Sequence, residues 1–207
     1  MSFIRTVYRA IVNKDTSPPW KQFAEKNNGN YVYQSGDTVI FHHKQFRITF
    51  QIHTHSTIAG SSSYEHEYFR AIAVFISPDK LQLKILHQDL IASIGKLFGA
   101  QDIEVGDWRF DPEFMIKGND REKIQLILAD HSIRKMLLEQ RDRMLRLEVT
   151  DDYGLFSEKA PDGQSMLYFV SKEKIKHSEQ LDQLKELITG FLDQLEKTNS
   201  AKPIISQ

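Results

Sequence analysis

His53, His55 and His66 are the residues whose type and spacing come nearest to a reactive constellation in this sequence. Imidazole nitrogens ligate zinc and similar divalent ions, and three of them with an open fourth position make a hydrolytic centre. Phe46, Ile48, Phe50 and Ile52 alternate with Arg47, Thr49, Gln51, His53 and His55, which marks a half-buried strand. Tyr64 to Ile76 reads as a second long strand after the Ala59–Ser63 loop. Placing His55 opposite His66 sets Ile52 against Phe69, Phe50 against Ala71, Ile48 against Ala73 and Phe46 against Phe75. All the apolar side chains then share one face, and a slip of one residue would expose one strand's set. In that register His53, His55 and His66 come to one polar face as the expected metal ligands, with Tyr68 opposite His53 and Glu65 or Glu67 at the margin. Tyr68 and Arg70 are the ligand-binding residues expected on the same face. A divalent metal such as zinc is the one cofactor this pattern would take. The competing reading is three solvated histidines, and no HExxH motif backs the metal, because Arg70 stands where its second histidine would be.

A second cluster runs from Asp102 to Asp120 and combines several carboxylates with Trp108 and Arg109. Paired carboxylates beside a tryptophan suit general acid–base work or a carbohydrate site, which makes Asp107 and Asp111 candidate ligand-binding residues. Each residue also has a plain structural job. Phe110 and Phe114 would meet across one helical turn, Met115–Lys117 is a short strand, and Gly118 permits a tight turn. Asn119 is the expected cap of the next helix, with Glu122 three residues on.

The segment Gly106-Asp107, Phe110-Asp111, Phe114-Met115-Ile116-Lys117-Gly118-Asn119-Asp120, followed by Ile133-Arg134 and Leu137, resembles a stretch found in a family of uncharacterised bacterial proteins. The shared pattern is GD-xx-FD-xx-F-x-I-K-G-x-D and covers about a quarter of the chain. The resemblance implies a bacterial α+β domain of unknown function and transfers no catalytic residue or cofactor.

Composition excludes several classes. The 207 residues contain no cysteine, which removes disulfides, thiolate metal sites and cysteine nucleophiles. With 27 basic and 28 acidic side chains there is no basic field of the kind that binds nucleic acid non-specifically. No GxSxG elbow, P-loop or GxGxxG turn occurs. Arg141, Arg143 and Arg146 interleave with Asp142 and Glu148, which reads as a solvated, ion-paired surface. No apolar run approaches the roughly 20 residues that cross a bilayer.

Around these residues the chain reads as one α+β domain over residues 16–197, with an amphipathic helix at 1–15 and a flexible polar tail at 198–207. Phe3, Ile4, Val7, Tyr8, Ile11 and Val12 keep helical spacing, so that helix would cover the domain's own edge or lie peripherally on a membrane. Short helices are expected at Trp20–Lys26, Leu90–Phe98, Arg121–Leu128 and Ile133–Glu139. Strands are expected at Tyr31–Tyr33, Thr38–Phe41, Leu81–Ile85, Met144–Val149, Gly154–Glu158 and Met166–Val170. A long C-terminal helix carries the stripe Leu181, Leu184, Leu187, Ile188, Phe191, Leu192 and Leu195, with Ser178 as its cap. The expected architecture is a mainly antiparallel sheet with a long central hairpin and helices on one face. With no assembled catalytic motif, the expected role is a non-enzymatic binding module for a protein or small molecule in the bacterial cytoplasm or at the inner membrane surface, alone or as a homo-oligomer. The alternatives are a metal-assisted or carboxylate-based hydrolase, or a peripheral membrane protein recruited by the N-terminal helix.

Overall fold

A computed structural model describes residues 18–33, 35–59, 62–90, 102–140, 142–151 and 160–204. The amphipathic stripe at 3–12 and the segments expected at 91–98 and 154–158 lie outside these residues. In chain order the elements are α1 (Pro18–Lys26), β1 (Asn30–Tyr33), β2 (Asp37–His43), β3 (Phe46–Ala59), β4 (Ser62–Ile76), β5 (Leu83–His87), a 3-10 turn (Gln88–Leu90), β6 (Phe114–Gly118), α2 (Arg121–Leu128), α3 (His131–Glu139), β7 (Arg146–Thr150), β8 (Gln164–Ser171) and α4 (Ser178–Lys197).

The strands form one eight-stranded sheet in the order β1-β2-β3-β4-β8-β7-β5-β6, antiparallel at every neighbour. The α+β class is as expected, and so is the hairpin register: Ile48 faces Ala73, Phe50 faces Ala71, Ile52 faces Phe69, His53 faces Tyr68 and His55 faces His66. The ladder runs on to Ala59–Ser62, so pairing consumes most of the loop expected at 59–63.

Period-2 alternation sends Phe41, Phe46, Ile48, Phe50, Phe69, Phe75, Leu147 and Phe169 to one face, where the four described helices lay their apolar stripes. Aromatic rings lock this face together. Phe50 meets Phe41 edge-on at 5.0 Å, Phe69 edge-on at 5.2 Å and Phe23 of α1 stacked at 5.6 Å. Each such pair adds about 0.5–1.5 kcal/mol beyond area burial.

Local chemistry moves several boundaries. Asp120, not Asn119, caps α2, accepting from the Lys123 amide at 3.0 Å. Asn119 instead braces the neighbouring turn, accepting from Gln82 N and donating to Lys80 O, both at 2.9 Å. The amides of Leu81 and Gln82 are thus taken by Asp79 and Asn119, and β5 starts at Leu83 rather than Leu81. In α4 the cap is His177 and Ser178 is the first helical residue. Gln180 reaches back to accept from the His177 amide at 3.1 Å.

Residues 198–202, which follow α4, do not fray. Asn199 adopts a left-handed φ of 57° and turns the chain, so that Lys202 exchanges two 2.9 Å backbone bonds with Ile76. Ser200 and Ala201 are buried there, and the Ser200 hydroxyl donates to Asp79 at 2.8 Å. The polar composition of 198–202 serves a docked return segment, bridged to Ile76 at Lys202, not a solvated tail.

Candidate functional site

Strand ends place the site. At one end of the sheet β2 begins its pairing with β3 at Thr38–Gln51, and β8 stops against β4 at Phe69–Ser171. The β3–β4 hairpin continues beyond both, from His53–Tyr68 to Ala59–Ser62. At about 3.3 Å per residue it reaches roughly 20 Å past its neighbours. One face of this arm carries His53, His55, Thr57, Tyr64, His66 and Tyr68, and the other carries Thr54, Ser56, Ser63, Glu65 and Glu67. Residues 63–67 are exposed.

At the arm's root is a cleft of about 220 Å³. Its walls are Trp20, Tyr33, Ile52, Tyr68, Phe69 and Ile175, and its rim carries Asp37, Glu67, Lys172, Glu173 and Lys174. The ammonium of Lys172 lies 5.4 Å from the Tyr68 ring centroid. Gly36 closes the floor: a Cβ there would fall 2.3 Å from the Ile52 carbonyl oxygen, so no larger residue lets the β1–β2 turn approach β3 this closely.

The structure separates the residues that the sequence grouped. Tyr68 lines the cleft, but His53, His55 and His66 do not. The three imidazoles share a face, as the register requires. Among the described residues no group of three His, Asp or Glu side chains is gathered as a metal ion would need.

Arg70 is buried one step inward, in a polar strip on the sheet face opposite the helices. There the amide oxygen of Gln51 faces its guanidinium, as the donor set requires. Tyr168, Arg146, Glu148 and Lys84 complete the strip across β8, β7 and β5. Glu148 is fully buried, bonded to Arg146 Nε and 3.6 Å from Lys84 Nζ. Burial pushes the Tyr168 phenol's pKa up, against the opposing pull of Arg70 and Arg146, so it stays a neutral hydroxyl. The solvated surface expected around Arg146 and Glu148 is therefore a buried pair. The i, i+2 alternation of opposite charges carries no sign of which sheet face will be covered.

Asp107 and Asp111 are engaged by their own loop. Asp111 accepts from the amides of Val105 at 3.0 Å and Gly106 at 2.9 Å. Asp107 accepts from the Arg109 amide at 3.0 Å and from Arg134 Nε of α3 at 2.9 Å. The Arg109 amide, then Arg134, hold the Asp107 carboxyl below its ordinary value. Phe110 is buried and stacks on Phe114 with centroids 4.7 Å apart. The resemblance pattern thus coincides with a braced turn, and its Gly118 is demanded by packing: a Cβ there would meet Ile124 Cδ1 at 2.2 Å and the Gln82 carbonyl oxygen at 2.4 Å.

Sequence reasoning missed the cleft because its walls come from α1, β1, β3, β4 and the 172–175 segment. The one local signal was Gly36 in the turn facing a long strand.

No family model and no curated protein matches the chain. A solved fold does. The chain shares its fold with the mycobacterial trehalose monomycolate transport factor A, TtfA. The crystal structure of TtfA superposes with a TM-score of 0.52 at 8% identity, over 94% of this chain and 100% of that one. At that identity the likeness to TtfA concerns architecture alone. Among the described residues no helix is long and apolar enough to cross a membrane.

Proposed function

We propose that this chain is a non-enzymatic binding module that engages its partner with the end of the sheet bearing the arm and the cleft. The observation that carries this reading is the arm itself. Two strands run roughly 20 Å beyond every neighbouring strand and present imidazoles, tyrosines and hydroxyls rather than an apolar core face. The helix-covered core is complete without it, so the extension adds surface and no packing there. The cleft at its root is walled by aromatic and aliphatic side chains with a rim of both charges, a lining suited to recognition. The carboxylates that invited a hydrolytic reading, Asp107 and Asp111, are instead bonded within their own turn. The fold shared with a transport factor supports an accessory role of this kind.

Replacing Thr54–Glu67 by an Asn-Gly turn tests the reading, since such a turn closes a two-strand hairpin. The shortened protein should keep its cooperative melt and lose the partners that co-purify with the full chain. Unchanged partners, or robust turnover in an unbiased substrate screen, would overturn the proposal. Stoichiometric zinc by elemental analysis, lost in His55→Ala, would favour a metal-assisted hydrolase centred on His53, His55 and His66 instead.

A further inference from the structure

Trp108 is 78% exposed, more than any other large hydrophobic residue among those described. It stands on a turn that is held from several sides: Asp107 to Arg134, Asp111 to two backbone amides, and Phe110 buried beneath. The guanidinium of Arg109 lies over the indole, 4.8 Å from its centroid. An indole left in water on a braced turn loses little conformational entropy when something covers it, because the turn is already fixed.

Charge narrows what that something is. The turn's three carboxylates are all engaged within the protein, Asp107 by Arg134, Asp111 by backbone amides and Glu113 by His87 Nε2 at 3.2 Å. Among the described residues Arg109 makes no ion pair, and its guanidinium rests on the Trp108 ring, so cation and indole form one surface. Tryptophan and arginine are the residues most enriched at the energetic centres of protein interfaces, where an aromatic anchor fills a pocket and arginine meets a carboxylate. A lipid surface fits less well. A single basic residue contributes only about 1 kcal/mol towards an anionic leaflet.

We infer that the Trp108–Arg109 turn is a docking surface for a protein partner whose segment carries a carboxylate beside an apolar residue. This goes beyond the arm-and-cleft reading and does not depend on it, since the two surfaces share no residue.

The test pans a displayed library of random 12-residue peptides on the full chain and measures binding of the enriched peptides in solution. The expected result is a shared pattern of Asp or Glu within two positions of an apolar residue. Affinity should fall at least tenfold in Trp108→Ala and in Arg109→Glu, and be unchanged in Leu126→Ala, which alters an exposed apolar residue elsewhere. Both loop variants keep the Arg109 amide that Asp107 accepts from, so circular dichroism should match the parent. Failure to enrich any peptide, a pattern lacking acidic residues, or equal binding by Trp108→Ala would overturn the inference. So would Trp108-dependent co-sedimentation with 7:3 phosphatidylcholine:phosphatidylglycerol vesicles in place of peptide binding.

Discussion

Arg134 of α3 reaches back to Asp107, with Nε 2.9 Å from Oδ2, and so fixes the turn ahead of β6 to a helix 27 residues further along the chain. Removing either partner should loosen the turn without unfolding the domain. Arg134→Ala or Asp107→Asn is expected to raise amide hydrogen exchange over residues 105–111 while exchange in β3 and β4 stays unchanged. The folded-state pKa of Asp107 is depressed, so its contribution is present above the ordinary carboxylate value of 3.8 and is lost as pH falls through the lower folded value. Exchange measured as pH drops below about 4 should show this turn opening in the parent, and no such step in Asp107→Asn.

The buried pair Arg146–Glu148 makes a sharper energetic prediction. Taking away Glu148 leaves a buried guanidinium with no carboxylate, so Glu148→Ala should destabilise by about 3–5 kcal/mol in urea unfolding. Replacing both partners by apolar residues of similar volume, Arg146→Met with Glu148→Leu, should recover most of that loss, since the pair must repay its own desolvation. A double variant no better than the single one would show that the pair contributes net stability.

Asp79 joins three parts of the structure: Lys123 of α2 at 2.5 Å, Ser200 after α4 at 2.8 Å and the Leu81 amide at 3.1 Å. Burial pushes its pKa up, but Lys123, Ser200 and the Leu81 amide outweigh that and hold it below 3.8. Asp79→Ala should cost about 1.5–3 kcal/mol near neutral pH, the range for hydrogen bonds to a charged group. Because the folded pKa is lowered, the difference from the parent should shrink as pH falls below about 4, and urea midpoints at pH 7 and pH 3 check the sign.

Gly118→Ala addresses the resemblance segment. The added methyl clashes with both Ile124 Cδ1 and the Gln82 carbonyl oxygen, and overpacking of this kind costs about 1–3 kcal/mol. A thermal melt unchanged from the parent would mean that β6 shifts freely.

What the sequence made legible was the sheet. Phe46 to Ile52 and Phe69 to Phe75 alternate so cleanly that only one register hides every apolar side chain, and the structure adopts it. Helices were readable from their apolar spacing of about 3.6 residues, with caps misplaced by one residue where two polar side chains competed, as Asn119 and Asp120 did. The buried face of Arg146 and Glu148 was not readable, because a charged pair two apart looks the same on a wet strand as on a covered one. The start of the tail, 198–202, was not readable because Ser200 and Lys202 find their partners in Asp79 and Ile76, more than a hundred residues earlier. The cleft escaped for the same reason: Tyr68 was named, but the walls that make it a cleft come from four other segments.

The claim that the projecting arm is the binding surface is tested most directly by photo-crosslinking in the native cell. A benzophenone amino acid is placed at Tyr64 on the arm, and in a second protein at Lys135 on the exposed side of α3. A discrete adduct is expected from position 64 and is expected to be missing from position 135. No adduct from the arm, or the same adducts from both positions, would contradict it.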